Sequence, residues 1–146
     1  MAWDRNAAAG RVAVVPSHWS DFYAETGIPA AIWAGRTLQV TGHTGEAADG
    51  VFPEGFEEQI RGAFANIRET LAEAGVGWPQ VVSLTSYHVG LQRQLTALLQ
   101  VAAEIFDEPL PAWSAVGVTE LIVPEALVEI SCVAVVPEPD GSRPAV

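Results

Sequence analysis

The 146-residue sequence contains no lysine, and positive charge is scarce throughout. Seven arginines stand against eighteen aspartates and glutamates, which gives a formal net charge of −11 at pH 7. Without lysine, Schiff-base chemistry on an ε-amino group and attachment of pyridoxal phosphate are excluded. The clustered cations that neutralise nucleic-acid phosphates or an anionic membrane surface are also missing. We therefore expect neither a nucleic acid nor a membrane as a partner.

Cysteine occurs once, as Cys132, so the chain cannot form an intrachain disulfide. No segment approaches the roughly 20 consecutive apolar residues that span a bilayer. Asp4 and Arg5 stand where a signal peptide would have an apolar run. These absences favour a cytoplasmic protein. Glycine-rich phosphate loops and metal-ligand spacings are also lacking, so we expect no cofactor and no metal.

The sequence does contain enough apolar material for a packed core, since 49% of its residues are hydrophobic and 17% are charged. At this length we expect one domain over residues 1–146, with a core of about residues 11–136. The Ala-rich residues 1–10 and the Pro- and Gly-containing residues 137–146 are expected to be flexible extensions.

Hydrophobic periodicity predicts two helices, over residues 56–74 and 91–106, because apolar residues recur there every three or four positions. Strand-like runs precede, separate and follow them, and the order β-β-β-α-β-α-β-β predicts an α+β sandwich with both helices on one sheet face. The predicted strands cover residues 11–15, 30–33, 37–41, 81–89, 112–118 and 127–136.

The second face of this sheet must also be covered. Its candidate residues are apolar or small, and we expect oligomerisation to cover them. The candidates are Trp113, Ala115 and Gly117, or Val128, Ile130 and Cys132.

Four stretches follow one another between about Trp19 and Val136: LQVTGHTG, AFANIRETLAEAG, VVSLTSYHV, and PAWSAVGVTEL followed by VEISCVAV. In this order and spacing they resemble the reactive intermediate deaminase (Rid, YjgF-like) family. The resemblance implies a chorismate-mutase-like fold with a mixed sheet, a homotrimer, and small-molecule clefts between subunits. It also implies cofactor-free hydrolysis of 2-imino acids and their enamine tautomers to 2-keto acids and ammonia.

One departure from the family bears on the substrate. In the family motif P-A-R-S an arginine clamps the substrate carboxylate, whereas this chain has PAWS, with Trp113 at the arginine position. A neutral indole has one N–H and no charge, so it cannot replace a bidentate guanidinium. A family asparagine falls at Leu99, and a family cysteine falls at Ala115. We therefore expect a bulky, aromatic or uncharged substrate rather than a simple amino-acid imine.

Glu129 corresponds to the family glutamate that positions or activates the attacking water. Its neighbours Val128 and Ile130 predict a partly buried carboxyl with a raised pKa, which suits acid–base work. The alternative is a strand glutamate that is hydrogen-bonded to a turn.

Two candidate substrate contacts lie in the PAWS motif. Trp113 can offer an aromatic wall and a cation–π contact to a protonated iminium, or it can simply fill the vacated cleft at a subunit interface. Ser114 is the neighbouring candidate, although no nucleophile-elbow pattern supports serine-hydrolase chemistry.

Four further candidates come from the N-terminal half. Thr41, Gly42 and His43 are expected to end the third strand, where the family has its pocket floor. His43 can bind a ligand or shuttle a proton near neutral pH, or it can be a structural residue facing a loop. Tyr23 matches a family tyrosine that closes the cleft.

The resulting interpretation is a cofactor-free enzyme that acts on a small reactive imine or enamine in specialised catabolism or natural-product biosynthesis, with Glu129 as its acid–base group. The alternative is a non-catalytic trimer that binds a metabolite or a partner enzyme. Ribonuclease activity, attached to the family by name, is a third reading that the net charge of −11 opposes. Whether Arg36 or Arg93 replaces the missing arginine is left open.

Overall fold

The computed structural model describes residues 10–137, which contain six strands and three α-helices. The strands are β1 (Arg11–Val14), β2 (Ala31–Ala34), β3 (Thr37–Thr44), β4 (Val81–His88), β5 (Ala112–Gly117) and β6 (Val128–Val135). The helices are α1 (Ser20–Thr26), α2 (Phe56–Glu73) and α3 (Leu91–Ile105). The strands form one sheet in the order β1-β2-β3-β6-β4-β5, in which only β4 and β5 pair in parallel.

The core lies between the sheet and the two long helices. The apolar stripe of α2 buries Ile60, Phe64 and Ile67, and that of α3 buries Leu98 and Val101. Each fully buried side chain of this kind stabilises the fold by about 1.5–3 kcal/mol. These stripes pack on alternate residues of the strands, of which the buried set of β6 is Val128, Ile130, Cys132 and Ala134.

The predicted order of strands and long helices is confirmed, and so is their arrangement as a chorismate-mutase-like sandwich. Helix α1 was not predicted, because seven residues are too few to show a helical stripe. Thr41, Gly42 and His43 lie at the end of β3, which extends one residue further to Thr44 and has a register shift between Val40 and His43.

The residues proposed from the sequence for the uncovered sheet face lie on the helix face instead. Val128, Ile130 and Cys132 are buried under the helices, and Trp113 pairs with the buried Leu84. Side chains alternate along a strand, so a shift of one position exchanges the two faces completely. The open face therefore carries the other residues of each strand, among them Ser83, Thr85, Tyr87, Ser114, Val116, Glu129 and Ser131.

The predicted flexible segments, residues 1–10 and 137–146, lie outside the described part of the chain except for Gly10 and Pro137. Within residues 10–137, no helix is long and apolar enough to cross a membrane.

Candidate functional site

Glu129 is the second residue of β6 and lies on the open sheet face. Its side chain is half-buried, and it makes no hydrogen bond or ion pair with any other residue in the range 10–137. Burial raises the pKa of the Glu129 carboxyl, because a desolvated carboxylate is disfavoured relative to its protonated form. The structure thus provides an unpartnered carboxyl that holds its proton closer to neutral pH than an ordinary glutamate.

The carboxyl of Glu129 lies against the backbone of β3. A Cβ placed on Gly42 would be 2.6 Å from Glu129 Oε2, so only glycine leaves room for the carboxyl in this position. Thr44 on β3 and Tyr87 on β4 are the direct cross-strand neighbours of Glu129 on the same face. Neighbours of this kind have Cβ atoms about 4.5–5.5 Å apart, which is close enough for their side chains to meet.

A shallow depression of about 340 Å³ opens beside Glu129. The β5–β6 loop forms its other wall through Glu120, Leu121 and Ile122. A second carboxylate, that of Glu120, therefore faces the same space. The depression is too open to exclude water from one protomer alone, since Ile122 is 87% exposed.

His43 is buried on the helix face, opposite to Glu129. Its Nδ1–H donates to the carbonyl of Thr41, and its Nε2 accepts from the Thr70 hydroxyl at 2.8 Å. The indole of Trp19 stacks on its ring with a centroid distance of 4.6 Å. Burial lowers the pKa of His43 to about 4, so the ring is neutral at physiological pH. The structure does not bring this histidine to Glu129.

The other two N-terminal candidates are also separated from Glu129. Thr41 uses its hydroxyl to donate to the carbonyl of Pro29 at 2.7 Å, which anchors the start of β2. Tyr23 is partly buried in α1, and no hydrogen bond or ring contact of its side chain links it to Glu129 within the described residues.

Trp113 lies within β5, and its side chain points to the helix face. Its indole N–H donates to the Ser86 hydroxyl at 2.9 Å, and Ser86 in turn donates to Nε2 of His88 at 2.8 Å. His88 Nδ1–H donates to Oε1 of Gln94 at 2.8 Å. Burial lowers the pKa of His88, which is consistent with this neutral tautomer. The one N–H of the Trp113 indole is therefore already used.

Two buried glutamines hold the segment that leads into β6. The Gln59 amide donates to the carbonyl of Glu125 at 2.9 Å, and its oxygen accepts the Leu127 N–H at 2.8 Å. Gln94 donates to the carbonyls of Val89 and Leu127 at 2.9 and 3.1 Å. Because Leu127 is two residues before Glu129, α2 and α3 together fix the backbone that carries the carboxyl.

The candidates thus divide between two surfaces. Gly42 and Ser114 share the open face with Glu129. Ser114 pairs with Thr85 of β4, which is two residues before Tyr87. Trp113 and His43 lie on the helix face. Sequence reasoning missed three contributors, namely Tyr87, Glu120 and the glutamine pair. The partial alternation of VVSLTSYHV was the available signal for Tyr87, whereas the glutamines contact residues far away in the sequence.

The described residues offer no site arranged for metal binding or for thiol chemistry. Among residues 10–137, no three His, Cys, Asp or Glu side chains are grouped to hold a metal ion. Cys132 is buried in β6, and burial raises the pKa of its thiol to about 12. A thiol that stays protonated is a weak nucleophile.

The family model described as Endoribonuclease L-PSP matches residues 20–136, which is most of the chain. The chain belongs to the YjgF/Rid family. It is 40% identical over 112 residues to the RutC family protein YjgH of Escherichia coli strain K12, covering 76% of this chain and 86% of that protein. Members of the YjgF/Rid family are associated with imine deaminase activity, so membership supports a small-molecule deaminase-like or metabolite-binding role.

Solved structures agree with this assignment to the YjgF/Rid family. The structure of protein YjgH aligns with a TM-score of 0.80 at 38% identity, over 88% of this chain and 98% of that chain. Rv2704 from Mycobacterium tuberculosis, of the YjgF/YER057c/UK114 family, aligns with a TM-score of 0.74 at 31% identity, over 86% and 99%. RidA from the Antarctic bacterium Psychrobacter sp. PAMC 21119 aligns with a TM-score of 0.72 at 26% identity, over 84% and 94%.

Proposed function

We propose that the protein is a cofactor-free enzyme that hydrolyses a small reactive imine or enamine, with Glu129 as its acid–base group. The observation that carries this proposal is the state of Glu129, a half-buried carboxyl with a raised pKa and no partner among residues 10–137. An unpartnered carboxyl in a strand costs stability, so a chemical role accounts for its presence better than packing does.

The reaction is the addition of water across a C=N bond, followed by loss of the nitrogen. A protonated Glu129 gives its proton to the imine nitrogen, and the resulting carboxylate then accepts a proton from the attacking water. The carbinolamine collapses to a carbonyl compound and releases ammonia or an amine. Because burial raises the pKa of Glu129 above that of an ordinary glutamate, one carboxyl is better suited to perform both transfers.

We further propose that the working unit is a homotrimer with the site between copies. Trp113 and Glu129 belong to opposite faces of the same sheet, so a cleft that uses both must take one from each of two copies. The open face also presents Val116, which pairs with Tyr87 and is 42% exposed. Apolar surface of this kind is covered when sheets of two copies pack together.

The remaining candidate residues take supporting roles in this proposal. Gly42 and Ser114 share the face of Glu129 and contact the ligand, while Tyr23 closes the cleft. Thr41 and His43 position the β3 register shift beside Gly42. The proton-shuttle role expected for His43 is not carried forward, because its ring is buried away from Glu129. Specialised catabolism or natural-product biosynthesis is the setting in which such imines arise.

The alternative is a non-catalytic trimer that binds a metabolite or a partner. The loss of the family arginine supports it, because Trp113 has neither a charge nor a free N–H to replace the carboxylate clamp. Both functions use the same cleft, so turnover alone separates them.

The deciding experiment measures hydrolysis of imines generated in place from a panel of amino acids and carboxylate-free amines, against the spontaneous rate. We expect the wild type to accelerate hydrolysis and Glu129→Gln to reduce this acceleration by at least about 100-fold. Glu73→Gln, which removes one exposed carboxylate of α2, should leave the acceleration unchanged. Binding of a substrate or its carbonyl product that is retained in Glu129→Gln, with no acceleration by either protein, would favour the non-catalytic alternative.

A further inference from the structure

Helix α3 contacts the edge strand β5, and we call the surface along their boundary the groove. Because α3 connects two parallel strands, it runs antiparallel to β5, and its start lies beside the end of that strand. A Cβ placed on Gly117 would be 3.7 Å from the Cβ of Leu91, which fixes this end of the groove. There the groove widens into an open depression of about 710 Å³ that Arg93 and Thr119 also line.

The walls of the groove are apolar. Leu95 and Leu99 continue the line of α3 side chains at four-residue steps, each about 6 Å along the helix. Two-residue steps along β5 cover about 6.6 Å, so from this spacing we expect Leu95 level with Ala115 and Leu99 level with Trp113. Leu95 and Leu99 are 40% and 52% exposed, respectively. An apolar body lying along the groove would therefore remove this surface from water.

Arg93 stands at the wide end of the groove without an acidic partner. None of the ion pairs among residues 10–137 includes it, and its hydrogen bond there is a 3.5 Å contact from Nη2 to the carbonyl of Val89. The guanidinium lies over Gly90, where a Cβ would be 2.6 Å from Arg93 Cζ. Gly90 also has φ of +84°, so glycine is favoured there for its backbone as well.

Arg11 and Arg68 also lack an acidic partner among residues 10–137, but Arg93 differs from them in lining the depression beside Leu91 and Gly117. The planar guanidinium offers paired donors that match a carboxylate. We propose that the groove binds an elongated ligand with an apolar body along Leu95, Leu99 and Trp113 and a carboxylate on Arg93. The inference rests on the proposed function only where it takes this ligand to be the substrate.

The geometry separates this ligand from a simple 2-imino acid. Trp113 and Gly117 are four residues apart in β5, which is about 13 Å along an extended strand. A carboxylate held by Arg93 therefore lies far from the position at which Trp113 replaces the family arginine. The substrate class is a longer acid whose carboxylate is remote from the part of the molecule that lies against the indole.

Matched ligands can test this without any turnover. We would titrate the protein with ω-phenylhexanoate, with its uncharged primary amide, and with acetate, following the Trp113 indole and Gly117 amide signals by NMR. At low salt the acid should bind about five- to tenfold more tightly than the amide, as a partly exposed charge-assisted pair provides. Acetate should bind more weakly than either, and added salt should reduce the preference for the acid.

Arg93→Gln should lower the affinity for the acid to the level of the affinity for the amide. The affinity for the amide itself should not change. Arg68→Gln is the matched control, since it removes an exposed helical arginine of α2. The inference is overturned if the wild type binds acid and amide equally, if Arg68→Gln has the same effect as Arg93→Gln, or if no signal shifts up to the solubility of the acid. Glu129→Gln should keep the preference for the acid, so failure of the proposed chemistry and failure of this site give different results.

Discussion

Gly42 of β3 lies directly beneath the carboxyl of Glu129 of β6, so that a single added methyl group would be 2.6 Å from Glu129 Oε2. The β3 register shift between Val40 and His43 creates this approach. His43 holds that shift from the opposite face through its hydrogen bond to the Thr41 carbonyl. The position of the Glu129 carboxyl, for which we propose an acid–base role, therefore depends on a backbone irregularity that a buried histidine maintains.

Gly42→Ala should reduce activity far more than stability. The new methyl group meets the mobile end of the Glu129 side chain and not a backbone atom, so the carboxyl moves and the fold remains. We expect a change of about 1 kcal/mol or less in the free energy of unfolding and a loss of about 10- to 100-fold in imine hydrolysis. Urea unfolding and the imine assay measure the two effects. Gly77→Ala is the control, because its Cβ would lie 3.6 Å from Pro79 Cδ, an ordinary contact. Equal loss in both variants would contradict the positioning role.

Ser86→Ala should destabilise the protein by about 2 kcal/mol, because it leaves the Trp113 N–H and the His88 Nε2 without their shared partner. In the Trp113→Phe background the same change should cost about 1 kcal/mol less, since one of the two orphaned groups is then absent. A double-mutant cycle by urea unfolding measures this coupling. Ser83→Ala, on the open face of β4, serves as the control. Strict additivity would show that the Trp113–Ser86 hydrogen bond contributes nothing.

Gln59→Leu should increase local opening of the backbone just before β6, while the apolar residues of α2 remain packed in the core. The amide of Leu127 loses its acceptor and the carbonyl of Glu125 loses its donor. We expect hydrogen exchange at the Leu127 amide to rise by at least about tenfold, beyond the change at amides within β4. Gln100→Leu, on the exposed side of α3, is the matched control. A uniform rise at all amides would indicate general destabilisation rather than a local hold on this segment.

His43 should make the protein less stable in mild acid. Its pKa is lowered from 6.5 to about 4 in the folded state, mainly by burial, with His18 as a nearby charge that acts in the same direction. Between pH 6.5 and about pH 4, the unfolded chain therefore binds a proton at His43 that the folded chain does not bind. The stability from neutral His43 is complete above pH 6.5 and is lost as pH falls from 6.5 toward 4.

Urea unfolding at about pH 7.5 and about pH 5 should show a loss of about 2 kcal/mol from this histidine. His43→Gln should remove that part of the pH dependence, whereas His18→Gln should retain it. The contribution of Glu129 has the opposite sign, because its raised pKa makes the folded state bind the extra proton, but it is common to the wild type and both variants. An unchanged pH dependence in His43→Gln would refute the prediction.

Much of the architecture was readable from local pattern. The stripes from Phe56 and from Leu91 specify the two long helices, since helical periodicity needs no distant partner. The alternation in VVSLTSYHV placed Tyr87 and His88 on opposite faces, as the structure confirms. Short α1 was missed because seven residues carry too little periodicity.

The face that each strand presents could not be read in the same way. Alternation places the side chains of Trp113 and Ser114 on opposite faces of the sheet, but it does not show which of them points to the helices. That choice depends on register with β4 and on whether α3 covers the side chain. The uncovered face was assigned incorrectly for this reason.

By itself, the sequence determined the element order, the family, the absence of lysine chemistry and the loss of the arginine at Trp113, because each follows from residue identity and local spacing. Only the tertiary structure decided that Glu129 rests on Gly42, that the Trp113 N–H is used by Ser86, and that Arg93 stands at the end of an apolar groove. These relationships join residues that are up to 87 positions apart in the sequence. They arise when register and packing bring such residues together, and no local pattern encodes that.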